Sequence, residues 1–210
     1  MMKVDFHIHT RCSPDSMNRP EDIVRVSKKL GIVPVISDHN SVEAHKEFKK
    51  FGAEFIPAEE VTTDMGDLIG IYVQDKIPKK TPFLETLDRI REQEGIAYLP
   101  HMFDSMRSIK KKELGKKVEI IEVFNGRCIS EKYNDMALEF AERNNKLKGA
   151  GSDAHLISEV GNAYVEMDDF DIENPKELLK SLKNGKVFGK RSPLQNKIAT
   201  RLIKLRKFFG

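Results

Sequence analysis

The stretch Lys3-Val4-Asp5-Phe6-His7-Ile8-His9 alternates apolar and polar residues near the start of the chain. In a β-strand, residues two apart share a face. The spacing therefore predicts Val4, Phe6 and Ile8 on one side and Asp5, His7 and His9 on the other. Two imidazoles on a buried strand face cost free energy unless something uses their lone pairs. A transition metal is the usual user of neutral imidazole. A fold built on this strand must bring further donors to the same edge.

Further donors stand at the ends of other apolar runs. Ile32–Ile36 delivers Asp38 and His39, and Glu54–Pro57 leads to the adjacent Glu59 and Glu60, of which alternation turns only one inward. Ile96–Leu99 leads to His101, Val118–Phe124 to Asn125, and Lys148–Gly151 to Asp153 and His155. Leu68–Val73 and Gly161–Met167 read as further strands. Helices are predicted from Pro20 to Gly31, Ser41 to Gly52, Pro82 to Glu94, Ser130 to Asn144 and Pro175 to Asn184. Lys110–Lys117 reads as a solvated helix face or loop. This alternation predicts an α/β fold with a parallel sheet. Donors at the ends of successive strands predict a closed (β/α) barrel, which gathers those ends into one ring. An open doubly wound sheet would bring only a few of them together. Five of the six histidines occupy such ends, whereas His45, inside a charged helix, reads as solvent-exposed. Asp15, Glu60 and Asp153 share the edge. Nitrogen and oxygen donors without thiolate suit Zn, Mn or Fe, and their number suits two or three divalent ions with bridging carboxylates.

Composition limits the setting. Hydrophobic residues make up 39% and charged residues 33% of 210 positions, with two cysteines, Cys12 and Cys128, in no paired motif. No apolar run approaches the roughly 20 residues of a membrane span, and no secretory pattern opens the chain, so a cytoplasmic protein without membrane contact is expected. Charge is uneven. Eight of the 36 Lys and Arg residues fall in positions 186–210, which hold no Asp or Glu; the remaining 28 face 33 acidic residues, a net of −5. The expected organisation is a barrel domain over 1–190 and an amphipathic basic helix over 191–210. In that helix Leu194, Ile198, Leu202, Leu205 and Phe209 form an apolar stripe, with Lys197, Arg201, Lys204 and Arg206 outside it. The stripe is expected to pack on the barrel and leave the basic face in solvent. The alternative is a basic arm that draws a polyanion toward the acidic body.

Residues 3–165 resemble the PHP (polymerase and histidinol phosphatase) family. The resemblance rests on Asp5-Phe6-His7-Ile8-His9-Thr10, Ser37-Asp38-His39-Asn40, Pro57-Ala58-Glu59-Glu60, Pro100-His101, Glu122-Val123-Phe124-Asn125-Gly126-Arg127 and Gly151-Ser152-Asp153-Ala154-His155. It implies a distorted seven-stranded (β/α) barrel, a trinuclear site and phosphoesterase activity. Carried over by motif, His7, His9, Glu60 and Asp153 hold one metal. Glu60 bridges to a second with His101 and Asn125, and Asp15, His39 and His155 hold a third. Asn125 stands where relatives often have His or Cys, and Asp15 where some have His, which leaves two ions or three open. The implied reaction is hydrolysis of a phosphomonoester (a sugar phosphate, histidinol phosphate or a nucleotide) through a metal-bridged hydroxide. A nuclease acting on oligonucleotide ends, a non-catalytic metal-binding module of a nucleic-acid complex and a C–N hydrolase are the alternatives. Arg11, Arg107 and Arg127 lie beside metal motifs and suit a phosphate clamp. His155, His39 or Asp38 is the expected proton donor to the leaving oxygen.

Overall fold

The computed structural model describes residues 1–209, with side chains through Lys207; Phe209 of the expected stripe therefore lies outside the described side chains. Nine strands are present: β1 (Met2–Ile8), β2 (Ile32–His39), β3 (Ile56–Thr62), β4 (Asp67–Ile71), β5 (Ile96–Leu99), β6 (Ile120–Asn125), β7 (Leu147–Gly151), β8 (Ala163–Met167) and β9 (Lys186–Gly189). The helices are α1 (Pro20–Leu30), α2 (His45–Lys50), α3 (Phe83–Glu92), α4 (Glu131–Arg143), α5 (Pro175–Leu182) and α6 (Leu194–Phe209). Local sequence accounts for their ends. Pro20 opens α1 with Glu21 and Asp22 in its first turn, and Gly31 closes it in the left-handed conformation. The Asn174 side chain caps α5 by accepting from the amides of Lys176 and Glu177. None of the described helices is long and apolar enough to cross a membrane.

All nine strands form one sheet, in the order β7-β6-β5-β4-β3-β2-β1-β8-β9. The sheet is mixed, where the sequence pattern predicts parallel strands. β1, β2 and β3 run parallel, as do β5, β6 and β7, but β4 is antiparallel to both its neighbours. Only Thr63–Gly66 join β3 to β4, too short a connection for a parallel crossover. At the far side, β8 and β9 add antiparallel strands beyond β1, which takes the count past the seven expected. The sheet curls until β7 meets β1. Beyond the end of β7, Ala154 bridges Ile8, and the Ser152 amide donates to Asp5 Oδ1 at 2.8 Å. A Cβ on Gly151 would collide with the Cβ of His7, so glycine permits this approach. The result is a nearly closed barrel.

The first strand is buried on both faces. Its pairing with β2 shifts register between Asp5 and Ile8, which breaks the expected alternation. Val4 and Phe6 pack in a cluster with Val35, Ile69 and Tyr98, the Phe6 and Tyr98 rings stacking at 5.7 Å. Ile8 packs instead with Ile23 of α1 and Phe48 of α2. Asp5 leaves the imidazoles altogether. It accepts from the amides of Ser152 and Gly161, and burial pushes its carboxyl up to about 7.

Candidate metal centre

Glu60 is the hub. It ends the pairing of β3 with β2 opposite His39, and both its carboxylate oxygens face imidazole nitrogens. Oε1 lies 3.0 Å from His101 Nε2. Oε2 lies 3.3 Å from the Nε2 atoms of His7 and His9 and 3.1 Å from His39 Nδ1. Glu59 points the other way, where one oxygen accepts from the Ile77 amide at 2.7 Å and burial pushes the carboxyl up to about 7. Asp153 extends the ring, its Oδ1 3.4 Å from His9 Nε2 and 3.3 Å from His155 Nδ1. Asp15 Oδ1 lies 3.2 Å from His155 Nε2 and 3.8 Å from His39 Nε2.

The surrounding groups fix which imidazole nitrogen faces inward. His7 Nδ1 donates to Glu122 Oε1 at 3.0 Å. His9 Nδ1 donates to Ser13 Oγ at 3.1 Å, and that hydroxyl donates to Asp38 Oδ1 at 2.6 Å. His155 Nδ1 donates to the Asp153 carbonyl at 2.8 Å. In all three the Nε2 lone pair is left for the centre, the tautomer that metal ligands adopt. The Nε2 atoms of His7 and His9 stand only 3.0 Å apart, and two lone pairs so placed repel unless a cation or proton lies between them. Oδ1 of Asp15 and Oδ1 of Asp153 are buried without a hydrogen-bond partner. Buried acceptors without donors are costly unless a cation meets them. The donor set fits a divalent metal on each of these counts.

Burial disfavours a proton on His7, but the carboxylates of Asp153, Glu60 and Glu122 outweigh it and raise its pKa well above the usual range, so the ring draws positive charge onto its imidazoles. Burial alone would raise the pKa of Glu60, but His39 and His7 outweigh it and hold the carboxyl well below the usual range. Burial likewise opposes Asp153, and Arg107 and His7 hold it ionised. His9 moves the other way, because burial and then His155 and His39 disfavour its cation. Backbone conformation at the site is special too. His101 (φ 31°) and Asp153 (φ 53°) occupy the left-handed region, a state that non-glycine residues hold only where their surroundings fix it.

Among the described residues, three donor groups are close enough to share an ion: His7, His9 and Glu60; His9, His39 and His155; and Glu60, Asp67 and His101. Asp67 and Glu122 are absent from the sequence-based ligand set. Asn125 lies beside the ring, its Nδ2 donating to Glu122 Oε2 at 2.9 Å and to Asp153 Oδ2 at 3.2 Å, while its Oδ1 accepts from the Arg127 amide at 2.8 Å. Asp38 is buried, and both its oxygens are engaged by Thr10 and Ser13, so it orients His9 through Ser13 and does not face the pocket. Arg11 also departs from expectation, turning to Glu47 at 2.7 Å and away from the site. His45 is buried, not exposed, because its Nε2 donates to the Ala58 carbonyl at 3.0 Å.

A pocket of about 360 Å³ opens over the ring. Asp15, His39 and His155 lie on its lining, together with Arg107, Arg127 and the α6 residues Lys197, Arg201 and Lys204. Arg107 pairs with Asp153, and Arg127 donates to Glu159 at 2.9 Å and to Thr200 Oγ1 at 2.7 Å.

A family model described as PHP-associated matches residues 131–187. An uncharacterized protein of Methanocaldococcus jannaschii, MJ0417, is 40% identical over 185 residues, covering 84% of this chain and 75% of that protein. The chain belongs to the PHP family. The PHP chain also shares its fold with solved structures. One is a proposed metal-dependent phosphoesterase of Bifidobacterium adolescentis, with a TM-score of 0.59, 17% identity and coverage of 73% of this chain and 87% of that one. Another is the lesion-specific endonuclease EndoQ of Pyrococcus furiosus, with a TM-score of 0.63, 15% identity and coverage of 99% of this chain and 71% of that one.

Proposed function

We propose that this PHP chain is a metal-dependent phosphoesterase. One observation carries the reading. Asp15, His39 and His155 connect the buried donor ring to a pocket whose lining also carries five cationic side chains, an arrangement that suits metal ions below and a phosphate above. His7, His9, Glu60 and Asp153 would hold one ion, Glu60 with His101 and Asp67 a second, and Asp15, His39 and His155 a third. When bound, such ions supply a water of lowered pKa and positive charge for the non-bridging phosphate oxygens.

The remaining work falls to the chain itself. Arg107 lines the pocket and is about one-third exposed, so its guanidinium can meet a phosphate oxygen; Arg127 is held rigidly by Glu159 and Thr200 beside it. Where only two ions bind, His39 and His155 stay free beside Asp15 to protonate the leaving oxygen. Among the structural neighbours, the names of the phosphoesterase and the endonuclease support phosphate-ester chemistry. The substrate of this reading is a sugar phosphate, histidinol phosphate, a nucleotide or an oligonucleotide end.

The test is release of inorganic phosphate or nucleotides from a panel of phosphomonoesters and short oligonucleotides, with added Mn or Zn. His9→Ala should lose more than the roughly 10- to 100-fold typical of residues that only support a ligand. A metal-loaded wild-type chain that turns over none of the panel would overturn the reading.

A further inference from the structure

Helix α6 sits with its polar side toward the barrel. Thr200 is buried against Arg127, Asn196 Nδ2 donates to Glu159 at 3.2 Å, and Lys207 Nζ donates to the carbonyls of Arg11, Ser13 and Ser16 at 2.6–2.8 Å. Its aliphatic side chains are left uncovered, Leu194 and Ile198 at the mouth of the pocket and Leu202 and Leu205 beyond it, between 55% and 66% exposed. Burying such side chains is a main source of helix stability, so this orientation forgoes a large favourable term. What the helix gains by it is the placement of Lys197, Arg201 and Lys204 on the pocket lining, beside Arg107. Among the described residues, none of these three pairs with a carboxylate, whereas Arg107 and Arg127 both do. Five cations line this pocket against the two carboxylates of Asp15 and Asp104, an excess of positive charge that favours an anion there.

We propose that Lys197, Arg201 and Lys204 form a second anion subsite, which holds a phosphate other than the one cleaved and selects substrates carrying at least two phosphate groups. The proposal rests on the phosphoesterase reading and adds the helix that sets its specificity. A second phosphate can come from the backbone of an oligonucleotide, as a singly charged diester, or from a small bisphosphorylated molecule, as a monoester near two charges; both present anionic phosphate oxygens to the lysines and arginine.

The experiment uses the full, Mn-loaded chain with three substrates: p-nitrophenyl phosphate, a 5′-phosphorylated oligonucleotide and fructose 1,6-bisphosphate. The wild-type chain should have a higher kcat/KM for at least one two-phosphate substrate than for p-nitrophenyl phosphate, and that preference should shrink with added salt. In Arg201→Gln/Lys204→Gln, the ratio of kcat/KM between two-phosphate and one-phosphate substrates should fall by roughly 10- to 100-fold, the worth of one or two charge-assisted contacts. Arg206→Gln removes a cation from the same helix outside the pocket, and should leave the ratio in place. Whichever two-phosphate substrate loses its preference identifies the source. An unchanged ratio in the double variant, or an equal fall in Arg206→Gln, overturns the subsite. Turnover of p-nitrophenyl phosphate without any two-phosphate preference also overturns it, while leaving the phosphoesterase reading intact. Should the double variant unfold, the wild-type salt dependence on the three substrates decides alone.

Discussion

At the strand ends, Asp15, Glu60 and Asp153 sit among five imidazoles, and each group's charge is set by several others at 3.0–3.8 Å. On α6, by contrast, Lys197, Arg201 and Lys204 line the pocket without a carboxylate partner, and the helix is held by a few polar contacts at its inner side. The two regions differ in how tightly each charge depends on its neighbours. Removing one member of a buried, interlocked set costs about 3–5 kcal/mol because the others are left uncompensated. Removing one hydrogen bond at a surface helix costs about 0.5–1.5 kcal/mol and stays local. The ring is therefore suited to fixed chemistry, and the helix to adjustable selection.

Glu122 offers the larger of two ways to strain that contrast. It accepts from His7 Nδ1, the Tyr98 hydroxyl, the His101 amide and Asn125 Nδ2 without facing the pocket. Glu122→Gln should weaken metal retention by roughly 10- to 100-fold, as loss of a ligand's supporting partner does. Metal titration of the apo chain checks it; unaltered affinity would mean that the ring does not depend on its supporting groups, and the contrast with α6 would fail.

The smaller effect belongs to Lys207. Lys207→Met removes three contacts to backbone carbonyls, so amides of α6 should exchange about 5- to 10-fold faster. Protection in β1–β7 should stay as it is. Hydrogen exchange measures both at once, and a loss of protection throughout the barrel would show that α6 is part of the cooperative unit.

How far this division was legible in the sequence follows from the same physics. His7, His9, Glu60, His101, Asp153 and His155 are visible because strand ends are marked by apolar runs that stop. Asp67 was not, because it begins β4; only the hairpin of Thr63–Gly66, which reverses that strand, puts its start at the edge where the others end. Glu122 lies within the strong apolar run of β6 and looks like an interruption in a core strand until Tyr98 and His7 are seen against it. The charges around His45 suggest solvent, whereas the Ala58 carbonyl receives its ring. Periodicity also misled at α6. An apolar stripe predicts which side of a helix faces the barrel when burial decides; here the contacts of Thr200, Asn196 and Lys207 decide. The barrel was recognisable from alternation, but its antiparallel strands β4, β8 and β9 depend on connections that the apolar pattern does not encode.

Whether the ring is a metal centre decides the rest. Elemental analysis of the folded wild-type chain, reconstituted with Mn or Zn and freed of loose metal by gel filtration, tests it most directly. Three donor groups around Glu60 predict two or three tightly held equivalents of Mn, Fe or Zn per chain. A folded chain that retains less than one equivalent of any of them would contradict the account.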